Sequence, residues 1–326
     1  MADLAEDLAN WMGNLPDDLQ KVPIIHLAIP GSHDSCTYPI TSRSKIAPDA
    51  ETAILRLRWL GCILKWVMSR WSKTQGFDAS GQLQAGIRYF DLRIATKPND
   101  CLHFVHGLYA APVPIVLHQI NDFLNSHSKE VVILDCQHFF EMDIDDHIHF
   151  VDMIFDTFGL KVLTCDNYYM KHLSLDYLAE HKFQVIVVYR LKHFKHPFYP
   201  AGCYPTPWPN TTSTKELIQI LSSDLKRRNN NYGYISQFIL TPRKSTVLKY
   251  VFGGNLKKFS AEPLYTDKMN WIESQKPGKY GVNVIIGDFV DIENLKFSRS
   301  VINLNNKLLA KPEPDCYLTE LPPITT

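Results

Sequence analysis

The sequence predicts an α/β fold in which a parallel sheet or barrel is covered by helices on its outside. Short apolar runs alternate with helix-like segments along the 326 residues. The runs are apolar throughout, which is typical of strands buried on both faces of a parallel sheet. Polar side chains follow most of the runs directly. We count about seven strands, so a closed eight-stranded barrel would need one weak or irregular member.

The elements follow one another in a regular order. The predicted strands span residues 24–29, 87–94, 102–105, 131–134, 183–189, 234–240 and 282–286. The predicted helices span residues 1–22, 54–71, 113–125, 147–158, 215–226 and 248–259. In the second strand the alternation places Asp91 and Arg93 on one face. No repeat or low-complexity linker divides the chain, so we predict one catalytic domain at 24–310. A helical extension precedes it at 1–23, with Leu4, Leu8, Trp11 and Met12 on one face, and a proline-rich, loosely ordered tail follows at 311–326.

Composition and charge narrow the function classes. The chain is 45% hydrophobic and 21% charged, which is typical of a globular protein with a full core. Its 34 basic and 34 acidic residues give no overall basic field, which argues against nucleic acid as a partner. The N-terminus lacks the order of a signal peptide, and no apolar run reaches the roughly 18 residues that span a bilayer. The seven cysteines are scattered without a C-x-x-C pair, which favours reduced thiols. We expect a cytoplasmic monomer.

Polar side chains mark the ends of the predicted strands. In chain order they are His33 and Asp34, Arg93, His106, Gln137, Arg190 and Asp288. In α/β barrels and open α/β sheets, sites form at the carboxyl ends of the strands. Two histidines, an arginine and two carboxylates suit acid/base attack at phosphorus. One imidazole takes a proton, the other returns one, and the arginine holds the anion.

Six segments carry a resemblance to a known family. In order they are LAIPGSHDS, GIRYFDLR, FVHG, EVVILDCQH, SQFILTPR and VNVIIGDFVD. Together they resemble the X domain of phosphatidylinositol-specific phospholipase C, above all the small eukaryotic proteins that consist of this domain and are similar to the bacterial enzymes. The resemblance runs from about Leu4 to Leu309. It implies a distorted, incompletely closed TIM-type (β/α) barrel. It also implies cleavage of phosphatidylinositol to diacylglycerol and inositol phosphate through a 1,2-cyclic phosphate.

The resemblance implies a role for each catalytic candidate. His33 is similar to the general base that deprotonates the inositol 2-hydroxyl, and His106 to the general acid that protonates the leaving oxygen. Asp288 resembles the carboxylate that orients His33, and Asp34 the one that is paired with His106. Arg93 resembles the cation beside the phosphate.

The same positions predict catalysis without a metal or any other cofactor. Calcium-dependent phospholipases C of this type surround the phosphate with oxygen ligands, of which calcium needs six to eight. Here Arg93 stands where those enzymes have a second carboxylate, and Gln137 stands in place of a glutamate. We therefore expect the guanidinium to take the place and charge of the calcium ion.

Four further residues are candidates for holding the substrate headgroup: Gln137, Arg190, Gln237 and Asp91. The bacterial pattern has a lysine near Gln137, so this contact departs from the family. Arg190 matches a strand-end arginine, and a structural ion pair is the alternative for it. Gln237 matches the pattern only loosely.

A basic amphipathic segment at 54–73 is the candidate membrane contact. It carries Trp59, Trp66 and Trp71 among five lysines and arginines, a composition that suits the headgroup region of a bilayer. The alternative is an ordinary helix packed on the barrel. With phosphatidylinositol as the expected partner, we predict a cytoplasmic enzyme that is peripheral at membranes.

Two other functions stay open at this point. One is a glycerophosphodiester or sphingomyelin phosphodiesterase on a similar barrel, which would call for metal-binding carboxylates where Arg93 stands. The other is a non-catalytic lipid-binding protein, which is disfavoured because every catalytic position is occupied by a suitable residue.

Overall fold

The computed structural model describes residues 3–165, 169–250 and 253–309. The tail that we predicted to be loosely ordered, at 311–326, lies outside these residues. The strands are β1 Ile29–Ser32, β2 Tyr89–Ala95, β3 His103–His106, β4 Leu108–Pro112, β5 Val132–Phe140, β6 Val162–Leu163, β7 Val185–Tyr189, β8 Tyr199–Pro200, β9 Ile235–Gln237 and β10 Val284–Gly287. The α-helices are α1 Asp17–Gln20, α2 Thr52–Leu55, α3 Cys62–Ser72, α4 Ala79–Gln84, α5 Val113–Ser126, α6 Ile144–Phe158, α7 Leu175–Glu180, α8 Thr214–Leu225, α9 Lys244–Lys249, α10 Glu262–Ser274 and α11 Lys296–Asn303.

The sheet is parallel along its main path and is not closed. Its order is β6-β7-β5-β2-β1-β10-β9, with β8 added beside β7, and within the described residues no ladder joins β9 back to β7 or β8. The prediction of an α/β, incompletely closed barrel in a single domain is confirmed. None of the described helices is long and apolar enough to cross a membrane.

The two faces of the strands build two apolar cores. Tyr89, Ile133 and Ile286 point inward and pack with apolar residues of the N-terminal segment. Phe90 and Leu134, their neighbours along the strands, point outward and pack against the helices. Because every second residue faces each core, the central strands are apolar on both faces, which is the pattern seen in the sequence.

The third predicted strand, at 102–105, does not run parallel to the other strands of the sheet as the pattern predicted. It forms β3, which pairs antiparallel with β2 and with β4, so it is a hairpin arm rather than a member of the parallel sheet. The connection from Ala95 to His103 is too short for a parallel crossover, which needs a dozen or more residues. The hairpin therefore turns the chain back along β2, so that β3 begins beside the end of β2, with His103 opposite Ala95, and His106 lies further back along that strand.

The continuous helix predicted at 1–22 is also wrong. Within residues 3–22, only a 3₁₀ turn at Leu8–Asn10 and the short α1 form, although the four predicted apolar side chains are buried. Arg88 donates to the carbonyls of residues 8 and 9, and Glu130 accepts from the amides of residues 12 and 13. These are the groups that would pair with each other in an α-helix, so the buried ion pair of Arg88 and Glu130 takes over their hydrogen bonds.

Two other helix predictions differ from the structure. The segment 54–71 is divided into α2, a 3₁₀ turn at Arg58–Leu60 and α3, and the turn and α3 are separated at Gly61, which takes a positive φ of 54°. The helix predicted at 248–259 is wrong. The chain instead forms α9 and, beyond Gly253 and Gly254, a π-helical turn at Lys257–Ala261 that continues into α10.

Candidate active site

The carboxyl end of β1 places His33 and Asp34 at the centre of the sheet edge. Gly31 lies between the side chains of Tyr89 and Ile286, where an added Cβ would come within 2.9 Å of both. Asp34 takes a positive φ of 41°, which is uncommon for a residue with a side chain. Gln75 fixes this turn by donating to the carbonyl of His33 at 2.8 Å. The turn therefore has a defined shape that fixes the direction of both side chains.

The His33 ring is buried and has different partners on its two nitrogens. Nδ1 lies 2.7 Å from Oδ1 of Asp288, which follows β10. A carboxylate at this distance holds the proton on Nδ1 and leaves Nε2 to exchange a proton. Nε2 lies 3.1 Å from Nη2 of Arg93 and 3.3 Å from Oδ2 of Asp34. The arginine favours the neutral ring and the carboxylate favours the imidazolium, so Nε2 stands between two opposing influences.

Asp34 is shared among the site residues rather than reserved for His106. Its Oδ2 lies 3.3 Å from Nε2 of His106 and 3.3 Å from Nε2 of His33, while its Oδ1 lies 2.5 Å from Nε of Arg93. The expected pairing of Asp34 with His106 is present, and Asp34 lies equally close to His33. Both imidazoles therefore turn an Nε2 toward one buried carboxylate.

His106 lies at the end of β3, across Asp34 from His33. Its Nδ1 donates to the carbonyl of Ser72 at 2.8 Å, which fixes the tautomer and leaves Nε2 directed into the site. The side chain of His106 is 28% exposed and that of His33 only 5%. The two ring centroids are 6.3 Å apart. One imidazole therefore lies deep in the site and the other near its opening.

Arg93 fills the position that a cation would take. His33, Asp34 and Asp91 carry ligand atoms close enough together to bind a metal ion. The guanidinium of Arg93 contacts all three, since its Nη2 also lies 3.7 Å from Oδ2 of Asp91. Asp91 itself is buried, and its Oδ2 accepts from the amide of Asp34. The positive charge among these ligands is thus supplied by the chain itself.

A second group of potential ligands lies on the connection from β2 to β3. It consists of Asp100, Cys101 and His103. Nζ of Lys97 lies 2.6 Å from Oδ2 of Asp100 and 3.1 Å from Nε2 of His103, so an ammonium group already lies among them.

The charged neighbours of His33 and Asp34 determine the protonation states of these two residues. Burial alone would lower the pKa of His33, but the negative charges of Asp34 and Asp288 outweigh it and raise the pKa to about 9. Burial would raise the pKa of Asp34, but the nearby Arg93, His106 and His33 outweigh it and lower the pKa. Asp34 therefore stays ionised, and His33 holds a proton more tightly than a free imidazole.

Arg190 and Gln137 are joined to each other through a buried carboxylate. Nε and Nη2 of Arg190 bind the two oxygens of Asp135 at 2.7 and 2.6 Å, and Tyr89 donates to the same carboxylate at 2.6 Å. Gln137 donates to the hydroxyl of Tyr89 at 3.1 Å. Arg190 therefore forms the structural ion pair that was the alternative to a headgroup contact. If Arg190 also bound the headgroup, it would do so while its guanidinium stayed bound to Asp135.

Gln237 is engaged with the loop that carries a tryptophan. Its Nε2 lies 3.0 Å from Oγ1 of Thr206 and 3.3 Å from the carbonyl oxygen of Pro207. The next residue, Trp208, places its indole over His33 with the ring centroids 5.5 Å apart. Gln237 thus holds in place the loop whose Trp208 covers one side of the site.

Three contributors to the site were missed from the sequence. Trp208 lies in a loop without strand or helix periodicity, and a proline on each side was the only local signal. Thr74 donates to the carbonyl of Asp34 at 3.0 Å, and Asp49 accepts from the amide of Gly107 at 2.7 Å. Burial raises the pKa of Asp49. Asp49 stood in a polar, proline-marked stretch that indicated only a loop.

The fold is that of phosphatidylinositol-specific phospholipases C. A mutant of the enzyme from Staphylococcus aureus superimposes with a TM-score of 0.65 at 13% identity, covering 93% of this chain and 98% of that one. The enzyme from Listeria monocytogenes gives a TM-score of 0.61 at 18% identity, over 92% and 99% of the two chains.

Sequence comparison gives the family. Residues 67–190 match the family model of the phosphatidylinositol-specific phospholipase C, X domain. The human PI-PLC X domain-containing protein 3 is 42% identical over 305 residues, which cover 91% of this chain and 94% of the relative. The mouse PI-PLC X domain-containing protein 2 is 40% identical, over 92% and 88% of the two chains. The chain belongs to the PI-PLC X domain-containing family.

Proposed function

We propose that this chain is a phosphodiesterase that cleaves phosphatidylinositol to diacylglycerol and inositol phosphate through a 1,2-cyclic phosphate. The observation that carries the proposal is the placement of two imidazoles of fixed tautomer on opposite sides of the Asp34–Arg93 pair. This arrangement suits a reaction in which one oxygen loses a proton while another gains one.

In the first step, Nε2 of His33 takes the proton of the inositol 2-hydroxyl; the reacting form is the neutral ring, which the raised pKa of about 9 makes the minor form at neutral pH. The freed oxygen forms a bond to phosphorus, and the bond from phosphorus to the glycerol oxygen breaks. Asp288 holds the tautomer that leaves Nε2 free and stabilises the imidazolium that forms. Arg93 stabilises the negative charge that develops on the phosphoryl oxygens. General-base catalysis of this kind contributes about 10²–10⁴-fold to a rate.

His106 completes the first step by giving the proton on Nε2 to the departing diacylglycerol oxygen. Its greater exposure suits a position on the side where the lipid leaves. In the second step the roles reverse, because His106 is left neutral and His33 is protonated. His106 can then deprotonate a water that opens the cyclic ester, and His33 returns a proton to the inositol 2-oxygen.

We propose that Arg93 makes a metal unnecessary in this reaction. Its guanidinium contacts Asp34, Asp91 and His33, the groups that would otherwise ligate a cation. We also propose that the inositol ring lies between Trp208 and the group formed by Gln137 and Arg190. Asp91 and Gln237 then act by holding Arg93 and the Trp208 loop.

The proposed membrane contact is formed by α3 and the turn before it. Trp59 is 79% exposed and Trp66 is 37% exposed, and Leu57 and Ile63 are exposed beside them. The helix ends at Ser72, whose carbonyl accepts a hydrogen bond from His106, so the helix that carries this apolar surface contacts the proposed acid. Trp71 was predicted to belong to this surface and does not, because it is buried against Phe259 and its neighbours. A peripheral enzyme at the cytoplasmic face of a membrane is the proposed setting.

The test is an assay of the purified protein on phosphatidylinositol vesicles, followed by ³¹P NMR of the products. We expect a five-membered cyclic phosphate first, and we expect His33→Ala and His106→Ala each to abolish turnover. His118→Ala is the matched control, since His118 is an exposed helical histidine bonded to its own helix.

The alternatives give other results in the same assay. Cleavage of glycerophosphodiesters or sphingomyelin would overturn the choice of substrate, since they lack the inositol 2-hydroxyl. Vesicle binding without any product would favour a lipid-binding protein. Full activity in either histidine variant would refute the mechanism.

A further inference from the structure

A buried lysine lies behind the pair formed by His33 and Asp288 and takes no part in the proposed catalytic steps. Lys268, in α10, is 6% exposed, although lysine is almost never buried without a partner. Among the described residues no carboxylate lies within 4 Å of its ammonium group. Burial of an unpaired charge is costly, so its position requires an explanation other than stability.

The surroundings of Lys268 lead to Asp288. Lys268 and Asp288 line one small cavity of about 10 Å³, which has room for about one water molecule. The Nζ of Lys268 packs directly on Gly287, the residue before Asp288, where an added Cβ would lie 2.0 Å from it. It also lies 4.0 Å from the centre of the Phe297 ring, a cation–π contact. Glycine at the end of β10 therefore makes room for a cation beside the carboxylate.

A second group from the same helical run reaches the same carboxylate. Ser260 lies in the π-helical turn before α10, and its Oγ is 3.4 Å from Oδ2 of Asp288. Oδ1 of Asp288 is bonded to His33. Since π-turns are rare and are often found at functional sites, this one is consistent with a role for the helical run in holding Asp288.

We propose that Lys268 is a positioning residue whose ammonium group attracts the Asp288 carboxylate from behind. Asp288 then divides its charge between Lys268 and His33, and His33 is able to release the proton that it takes. The catalytic meaning of this inference rests on the proposed function, whereas the electrostatic coupling does not. The titratable groups facing the cavity are Asp288, Lys268 and Tyr265. Burial lowers the pKa of Lys268 to about 8, so the ammonium form still dominates at neutral pH.

The test measures His33 directly and needs no substrate. The ring of His33 is titrated by NMR in protein with labelled histidine, and its signal is assigned from the His33→Gln spectrum. In Lys268→Met the pKa of His33 should rise by about one unit, because a nearby positive charge is lost. Lys258→Met is the matched control, since Lys258 is exposed on the same helical run, and it should leave the titration unchanged.

Thermal unfolding of the same variants separates a positioning role from a structural one. Removing a buried ammonium that lacks an ion pair should leave Tm at pH 7 unchanged or raise it. An unchanged titration of His33 in Lys268→Met would overturn the proposal, whether or not Tm falls. If Lys268→Met does not fold, Lys268→Gln replaces it. Because the titration is independent of turnover, an inactive wild type would refute the proposed function and leave this inference testable.

Discussion

Nε of Arg93 lies 2.5 Å from Oδ1 of Asp34. The guanidinium is therefore fixed among the groups that would ligate a metal, and we predict two results. Turnover of the wild type should be unaffected by chelators, and Arg93→Ala should reduce kcat by about 10²–10³-fold because it removes the proposed donor to the developing phosphoryl charge. The measurements are initial rates on phosphatidylinositol vesicles with and without EDTA.

The same substitution should also change cation binding. In Arg93→Ala, the ligand atoms of His33, Asp34 and Asp91 lose their positive neighbour. Terbium luminescence should report a site that the wild type lacks, and Arg43→Ala, at an exposed position, should behave as the wild type. Loss of wild-type activity in EDTA with recovery in calcium would contradict this account.

The raised pKa of His33 predicts a pH-dependent contribution to stability. The pKa of the ring is about 9 in the folded protein, whereas the ordinary value for histidine is 6.5. A group whose pKa is raised by folding stabilises the fold fully below its unfolded pKa, and this stabilisation is lost as pH rises through the folded pKa. The free energy of unfolding of the wild type should therefore fall, relative to that of His33→Gln, between about pH 6.5 and pH 9.

Urea unfolding of both proteins at pH 6, 7, 8 and 9 checks this prediction. Asp288→Asn removes one of the two charges that raise the pKa, so in that background the same difference should be smaller. His118→Gln controls for the loss of an imidazole as such. A constant difference between the wild type and His33→Gln across the series would show that the carboxylates do not raise the pKa.

The exposed and the buried tryptophans should respond differently to substitution. Trp59→Ala with Trp66→Ala should weaken vesicle binding by more than about tenfold, since each buried apolar side chain contributes about 1.5–3 kcal/mol, and should leave Tm unchanged. Trp71→Ala should destabilise the fold by about 3–5 kcal/mol because it leaves a cavity. Vesicle co-sedimentation and urea unfolding distinguish the two classes. Unchanged vesicle binding in the double variant would show that Trp59 and Trp66 do not form the membrane contact.

The sequence predicted the sheet and its edge because both depend on local patterns. A strand that is apolar on both faces is visible in its own residues; His33 and Asp288 each follow such a strand, and Arg93 lies near the end of another. The direction of β3 was also predictable in principle, because the seven residues from 96 to 102 cannot form a crossover. The apolar pattern of β3 does not differ from that of a parallel strand, which is why it was misread.

Other contributors to the site depend on contacts between distant parts of the chain. Lys268 is a helix residue of a type that normally faces solvent, and it is buried by contacts with Gly287 of β10 and Phe297 of α11. Trp208 reaches His33 across 175 residues of sequence. The prediction of a helix at 1–22 was wrong for the same reason. Arg88 and Glu130, which are distant in the sequence, bind the backbone groups that would have paired within that helix.

The ion pair of Arg88 and Glu130 should be necessary for stability, although it lies far from the site. Its side chains are 0% and 1% exposed, and together they bind four backbone groups of the N-terminal segment. Arg88→Met would leave a buried carboxylate without its cation, which should cost about 3–5 kcal/mol in the free energy of unfolding. Arg88→Met with Glu130→Gln should cost less than the sum of the two single changes, because each single change leaves one buried charge unpaired and the double change leaves none. Urea unfolding measures all three variants.

The exposed pair of Arg227 and Asp224 is the matched control, since the Arg227 side chain is 73% exposed. Arg227→Met should change the free energy of unfolding by less than about 0.5 kcal/mol. If Arg88→Met were as mild as Arg227→Met, the N-terminal segment would have to be held by its apolar side chains alone. Limited proteolysis distinguishes the cases, because loss of the ion pair should expose the segment before α1 to cleavage while the barrel stays intact.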